Sequence, residues 1–137
     1  NMIKLSNFNH KVKVFISIPS VDMPSCIEDI LNIAKLTEKY SENIQFIFIS
    51  MDLPFTIKRF NKEKKISSIL FYSDNAEKQF GAAFGILVKK LGLLSKAIFL
   101  LGRDNKLNYV EYVRELTDSP HINRLEKAID AIIEQDI

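Results

Sequence analysis

Cys26 is the residue whose type and position favour chemistry most clearly. It is the only cysteine among 137 residues, and it stands where the loop PSVDMPSC gives way to a helical pattern. The nucleophilic form of cysteine is the thiolate, whereas a free thiol with a pKa of about 8.5 is mostly protonated at neutral pH. In the first turn of a helix, unpaired backbone N–H groups and the helix dipole favour the thiolate. The position therefore leaves two interpretations open: a reactive thiol, or a buried packing residue, which is the usual role of an isolated cysteine.

Two acidic residues follow this cysteine, and their orientation decides their effect. Glu28 and Asp29 oppose a thiolate if they point toward it, and only stabilise the helix start if they point outward. The two histidines, His10 and His121, are distant in sequence and form no metal-binding spacing with Cys26. The chain also has no glycine-rich nucleotide loop. We therefore expect neither a metal nor a cofactor.

Hydrophobic periodicity predicts the elements that position Cys26. Apolar residues at 27, 30, 31 and 34 share one face of the helix that follows it. The predicted strands lie at 11–18, 44–50, 69–72, 97–101 and 107–113, and the predicted helices at 25–40, 54–60, 76–90 and after Pro120. This β-α-β-α-β-α-β-β-α order favours an α/β fold, a thioredoxin-like sandwich with helices on both faces of a central, mainly parallel sheet and an antiparallel hairpin. No linker interrupts residues 1–137, so we expect a single domain.

Composition excludes several classes of function. An apolar fraction of 47% and a charged fraction of 26% are typical of a globular protein. The net charge is only +2, and the basic residues are scattered along the chain. Both features argue against nucleic-acid binding. No apolar stretch approaches the ~18–20 residues of a membrane span, so we expect no membrane partner and a cytoplasmic location. The order Asn1-Met2 leaves two alternatives: Met2 is the initiator, or a preceding segment is missing.

Four stretches of the chain carry a family resemblance. They are KVKVFISIPSVDMPSC, FISMDLPFTIKRF, FGAAFGILVKKLGLLSKAIFLL and YVEYVRELTDSP. Their order and content resemble the bacterial thiol peroxidases, a branch of the peroxiredoxins, from Lys4 to Ile133. The resemblance implies that a cysteine at the start of the first long helix attacks a peroxide O–O bond. The resulting sulfenic acid is then reduced through a disulfide.

The resemblance assigns roles to individual residues and also marks three departures. Cys26 matches the peroxidatic cysteine, and Pro19 matches the proline that shields its thiolate. Met23 stands where the family has a threonine or serine, and a thioether cannot donate a hydrogen bond. Lys96 stands where the family has an arginine. Lysine keeps the positive charge but lacks the planar fork of hydrogen-bond donors of arginine. Asn61 stands where the family has its resolving cysteine.

These matches imply a one-cysteine thiol peroxidase that reduces hydrogen peroxide or alkyl hydroperoxides. Cys26 is then the nucleophile and Lys96 its electrostatic partner, and Pro19, Pro24 and Ser25 form the substrate pocket. An external thiol such as thioredoxin is the expected reductant, and a homodimer is the expected assembly. The replacements at Met23 and Lys96 favour weak activity. They also support the alternative, a catalytically degenerate homologue that acts as a redox sensor or binding module.

Overall fold

A five-stranded sheet forms the centre of the fold in the computed structural model, which describes residues 11–40, 44–75, 79–85, 87–88, 93–115 and 117–135. The elements in chain order are β1 Val12–Ser17, α1 Pro24–Thr37, β2 Ile44–Ser50, α2 Pro54–Lys64, β3 Ile69–Ser73, α3 Gln79–Phe84, β4 Leu87–Val88, β5 Leu93–Leu94, β6 Ala97–Leu101, β7 Leu107–Tyr112 and α4 Ile122–Gln135. The strand order in the main sheet is β3-β2-β1-β6-β7, and β4 and β5 pair separately.

The sheet is mixed, which confirms the thioredoxin-like α/β class but corrects one detail. β1 is parallel to β2, and β2 is parallel to β3, as the strand–helix alternation predicts. β6 runs antiparallel to both β1 and β7, so the antiparallel part extends beyond the terminal hairpin. The predicted crossover helix at 76–90 is replaced by the six-residue α3 and the β4–β5 ribbon. The chain therefore enters β6 from the opposite end of the sheet. Residues 76–78, 86, 89 and 90 of that predicted helix lie outside the described residues.

One face of the sheet carries three helices. Side chains of α1, α2 and α4 pack there against alternate residues of the strands, namely Val14, Ile16, Phe46, Phe48, Ile98 and Leu100 from the sheet with Ile30, Ile33, Phe60, Leu125 and Ile129 from the helices. On α4 this stripe matches the predicted face. On α1 it differs, because Leu31 is exposed and Ile33 is buried. Cys26 belongs to the buried stripe of α1.

The other face holds a second apolar cluster. Phe15, Ile47, Ile49 and Phe99 alternate with the residues of the first face, as the period of two along a strand requires. Leu94 of β5 packs into this cluster and is fully buried. All six residues of β1 are buried because the strand lies at the centre of the sheet with apolar clusters on both faces.

Candidate active site

Cys26 lies in the first turn of α1, just beyond the end of β1. Ile18 still donates its backbone N–H to the carbonyl of Ile49 at 3.0 Å, so the sheet fixes the chain up to that point. Pro24 begins α1, where a missing backbone donor is tolerated. The carbonyl of Met23 accepts the N–H groups of Cys26 at 2.9 Å and Ile27 at 3.0 Å. The predicted position of Cys26 at a helix start is therefore the position found.

The thiol of Cys26 is fully buried, and burial dominates its electrostatics. Loss of solvent raises the pKa of the Cys26 thiol, and the negative charge of Asp29 raises it further. A backbone hydrogen bond from Ser20, the positive charge of Lys96 and a hydrogen bond with the Ser25 hydroxyl lower the pKa but do not cancel the burial effect. The helix-start argument predicts the opposite direction, because it takes no account of burial. Cys26 is therefore mostly a thiol at neutral pH.

Lys96 forms a buried ion pair that reaches the turn containing Cys26. Its ammonium lies 2.7 Å from Asp29 Oδ2 and donates to the carbonyl of Asp118 at 2.9 Å. It also reaches Ser25 Oγ at 3.4 Å. The side chains of Lys96 and Asp29 are each only 2% exposed, so water screens the pair little. Asp29 thus points inward, whereas the side chain of Glu28 is exposed.

The other predicted site residues divide into buried and exposed positions. Pro19 is buried, and Met23 is half-buried against the main core cluster. Ser25 is half-buried, and its hydroxyl contacts both the thiol of Cys26 and the ammonium of Lys96. Pro24 is exposed and begins α1. The described contacts therefore bring Cys26, Ser25 and Lys96 together.

Asp52 holds the loop that precedes Cys26, and the sequence pattern did not single it out. Its carboxylate accepts hydrogen bonds from Ser20 Oγ at 2.7 Å, from the N–H of Val21 at 2.8 Å and from Ser50 Oγ at 2.7 Å. Parallel strands end at the same edge of a sheet, so a residue just after β2 lies beside the loop that follows β1. That rule, applied to MDLPF, is the signal that identifies Asp52.

The described part of the chain offers no metal site and no membrane helix. No three His, Cys, Asp or Glu residues lie close enough there to hold a metal ion. His121 is instead held by Glu111, whose Oε2 lies 2.8 Å from its Nδ1. None of the helices in these ranges is long and apolar enough to cross a membrane.

Comparison with known proteins identifies the family. The redoxin family model matches residues 1–129. The thiol peroxidase of Oceanobacillus iheyensis is 37% identical over 116 residues, which cover 85% of this chain and 70% of that protein. The thiol peroxidase of Clostridium acetobutylicum is 34% identical over 131 residues, covering 94% of this chain and 77% of that one. This chain belongs to the redoxin family, among its thiol peroxidases.

Solved structures agree with the assignment of the fold. A peroxiredoxin-like protein from Aquifex aeolicus superposes with a TM-score of 0.84 at 28% identity, covering 90% of this chain and 73% of its own. The thiol peroxidase from Chromobacterium violaceum gives a TM-score of 0.87 at 23% identity, covering 96% and 77%. The thiol peroxidase membership makes the chain a peroxidase enzyme, and the predicted resemblance is confirmed.

Proposed function

We propose that this thiol peroxidase works with one cysteine and that Cys26 is its nucleophile. The observation that carries the proposal is the convergence of a backbone hydrogen bond from Ser20, the Ser25 hydroxyl and the charge of Lys96 on a cysteine in the first turn of α1. Each of the three stabilises a thiolate, even though burial outweighs them at neutral pH. No second cysteine is present in the sequence to complete an internal disulfide.

In the first half-reaction the Cys26 thiolate attacks one oxygen of hydrogen peroxide or an alkyl hydroperoxide. An S–O bond forms as the O–O bond breaks, so sulfur loses two electrons and the peroxide gains them. The leaving hydroxide or alkoxide takes up a proton and departs as water or alcohol. Cys26 is left as a sulfenic acid.

In the second half-reaction an external thiol reduces the sulfenic acid. The attacking thiol forms a mixed disulfide with Cys26 and releases water, and a second thiol then displaces Cys26 as a free thiol. A dithiol protein such as thioredoxin supplies both sulfurs. Because Cys26 is fully buried, the first turn of α1 has to move before a protein thiol reaches it.

Ser25 takes over part of the role that a hydroxyl at position 23 has in the family. Met23 brings no donor to the site, whereas the Ser25 hydroxyl already bonds the thiol. In other enzymes, loss of one donor aimed at the reacting oxygen lowers the rate by about 10²–10³. We therefore expect weak activity, supported by Ser25 and limited by the missing hydroxyl.

Lys96 acts as the electrostatic partner of Cys26, but Asp29 holds its ammonium. The 2.7 Å ion pair neutralises much of the field that Lys96 exerts on the thiol. We infer that Pro19, which is buried, shields the thiolate as its counterpart does in the family, and that Pro24 and Ser25 complete the pocket. The replacement of arginine by lysine thus adds a second reason for weak activity.

The proposal extends to assembly and location. We infer a homodimer and a cytoplasmic enzyme, since reduction of Cys26 needs a thiol-rich compartment. We also infer that residues 1–137 form one domain. The apolar cluster shared by β1, α1 and α4 supports this inference, because it joins residues from both ends of the described chain.

The test is catalytic consumption of hydrogen peroxide with thioredoxin and its reductase as the electron source. Turnover that exceeds the Cys26→Ser variant supports the proposal, and the variant also controls for direct reaction of peroxide with the reductant. Equal consumption by both proteins contradicts a peroxidatic role for Cys26. That result favours the alternative, a catalytically degenerate homologue that serves as a redox sensor or binding module.

A further inference from the structure

The loop between β1 and α1 is held by a neighbouring loop. Ser20 and Val21 donate to the two carboxylate oxygens of Asp52, at 2.7 and 2.8 Å. The N–H of Asp22 donates to Ser20 Oγ at 3.1 Å, so the serine hydroxyl links the loop to itself as well as to Asp52. These bonds fix the backbone at residues 20–22.

Asp52 is itself fixed from two sides. Ser50 at the end of β2 donates to Asp52 Oδ2 at 2.7 Å. Ser73 at the end of β3 donates to the backbone carbonyl of Asp52 at 2.5 Å. The carboxylate therefore has a defined position relative to the sheet. Its hydrogen bonds to Ser20 and Val21 restrain the loop in turn.

Ser20 connects this bracing to the thiol. Its carbonyl accepts the N–H of Met23 at 3.3 Å, and the carbonyl of Met23 accepts the N–H of Cys26 at 2.9 Å. Its side chain is bonded to Asp52, so the carboxylate anchors the turn that leads into α1. A backbone hydrogen bond from Ser20 also lowers the pKa of the Cys26 thiol. We propose that Asp52 is a positioning residue for the peroxidatic thiol, because its carboxylate fixes Ser20 and, through Met23, the turn that carries Cys26. This inference rests on the proposed function of Cys26. Asp52 acts through Ser20 and not on the sulfur directly.

The chain offers a matched control on the same loop. Arg59 of α2 pairs with Asp22 at 2.6 Å, but both side chains are about half exposed, at 48% and 57%. An exposed pair of this kind contributes little rigidity. Arg59→Gln therefore removes a contact to the loop without removing the half-buried attachment at Asp52.

The experiment measures the ionisation of Cys26 in the absence of peroxide. The rate of alkylation by iodoacetamide is followed against pH, with thiolate absorbance near 240 nm as a second readout. In Asp52→Ala we expect the midpoint to rise by about one pH unit, because loss of a hydrogen bond to a charged group has about that effect. Below the midpoint the alkylation rate then falls about tenfold. Asp52→Asn keeps one oxygen acceptor and should show a smaller rise, and Arg59→Gln none.

An unchanged midpoint in a folded Asp52→Ala variant, with only a lower melting temperature, overturns the inference and leaves Asp52 a purely structural role. If Asp52→Ala does not fold, Asp52→Asn decides: a raised midpoint supports the inference, and an unchanged one overturns it. Equal rises in Arg59→Gln and Asp52→Asn also overturn it, since any loosening of the loop would then suffice. Because no peroxide is used, the outcome is independent of whether the wild-type chain turns over.

Discussion

The buried pair of Lys96 and Asp29 gives the sharpest prediction about stability. Lys96→Met removes the ammonium but keeps a long apolar stem, so it leaves the Asp29 carboxylate buried without its cation. Both side chains are 2% exposed, and Asp29 Oδ1 has no hydrogen-bond partner within the described residues. Removing one partner of a buried pair typically costs about 3–5 kcal/mol. We expect Lys96→Met to fall in that range.

The double variant separates charge from packing. In Lys96→Met/Asp29→Asn neither buried charge remains, and replacing both partners of a buried pair is often close to neutral. Its cost should therefore be clearly smaller than the sum of the two single costs, with a coupling of about 2 kcal/mol or more, within the range seen for contacting residues.

Urea unfolding followed by circular dichroism measures these differences through the midpoint at constant slope. Glu63→Gln is the control, because it removes the exposed 3.4 Å partner of Arg59 and should leave the midpoint unchanged. A cost below about 1 kcal/mol for Lys96→Met, or single costs that simply add in the double variant, refutes the reasoning. Either result means that the pair is solvated or mobile in solution.

The remaining predictions concern the thiol. Burial raises the pKa of Cys26, so the rate of its reaction with peroxide should rise about tenfold per pH unit across neutrality, and a flat profile in stopped-flow measurements would argue against this. The folded chain also keeps a proton that the unfolded chain loses above pH ~8.5, so the free energy of unfolding should fall there, and Cys26→Ser should remove that part of the decline. Met23→Thr should raise the rate constant for reaction with peroxide by a factor of about 10–10³, the upper limit being the effect of one hydrogen-bond donor on the reacting oxygen. An unchanged rate constant contradicts the importance of the missing hydroxyl. Ser25→Ala should lower the same rate constant by at least tenfold, and an unchanged value removes Ser25 from the site.

Much of the fold could be predicted because its strands and helices have distinct periodicities. The strand at 44–50 and the last helix, with Leu125, Ile129 and Ile132 on its buried face, agree with the predicted pattern. The direction of β6 did not follow from the pattern, because a run such as AIFLL is equally apolar in either orientation. Only the connection determines that direction. Periodicity predicts a helix that continues to residue 90, but α3 ends at Phe84. Gly85 follows it with a φ of +69°, a left-handed conformation that favours glycine.

The position of Cys26 at a helix start could be predicted, but its electrostatics could not. A proline-broken loop before a helical pattern identifies Cys26 as a first-turn residue, and that holds. The burial of Cys26 depends on which residues of α1 face the sheet. Ile33 faces it and is buried, whereas Leu31, which periodicity places on the apolar face, is exposed. The inward turn of Asp29 has the same origin, since it is set by the buried ammonium of Lys96, which is distant in sequence. Long-range contacts of this kind are not encoded in local spacing.

Direct trapping of oxidised Cys26 tests most closely whether its sulfur is the nucleophile that attacks the peroxide. The reduced chain is treated with one equivalent of hydrogen peroxide in the presence of dimedone, which reacts with sulfenic acids, and the peptide containing Cys26 is analysed by mass spectrometry. We predict a dimedone adduct on Cys26 whose yield increases with pH, in a protein that remains folded. An unlabelled Cys26 that still titrates as a full equivalent of free thiol after the peroxide treatment would contradict the account.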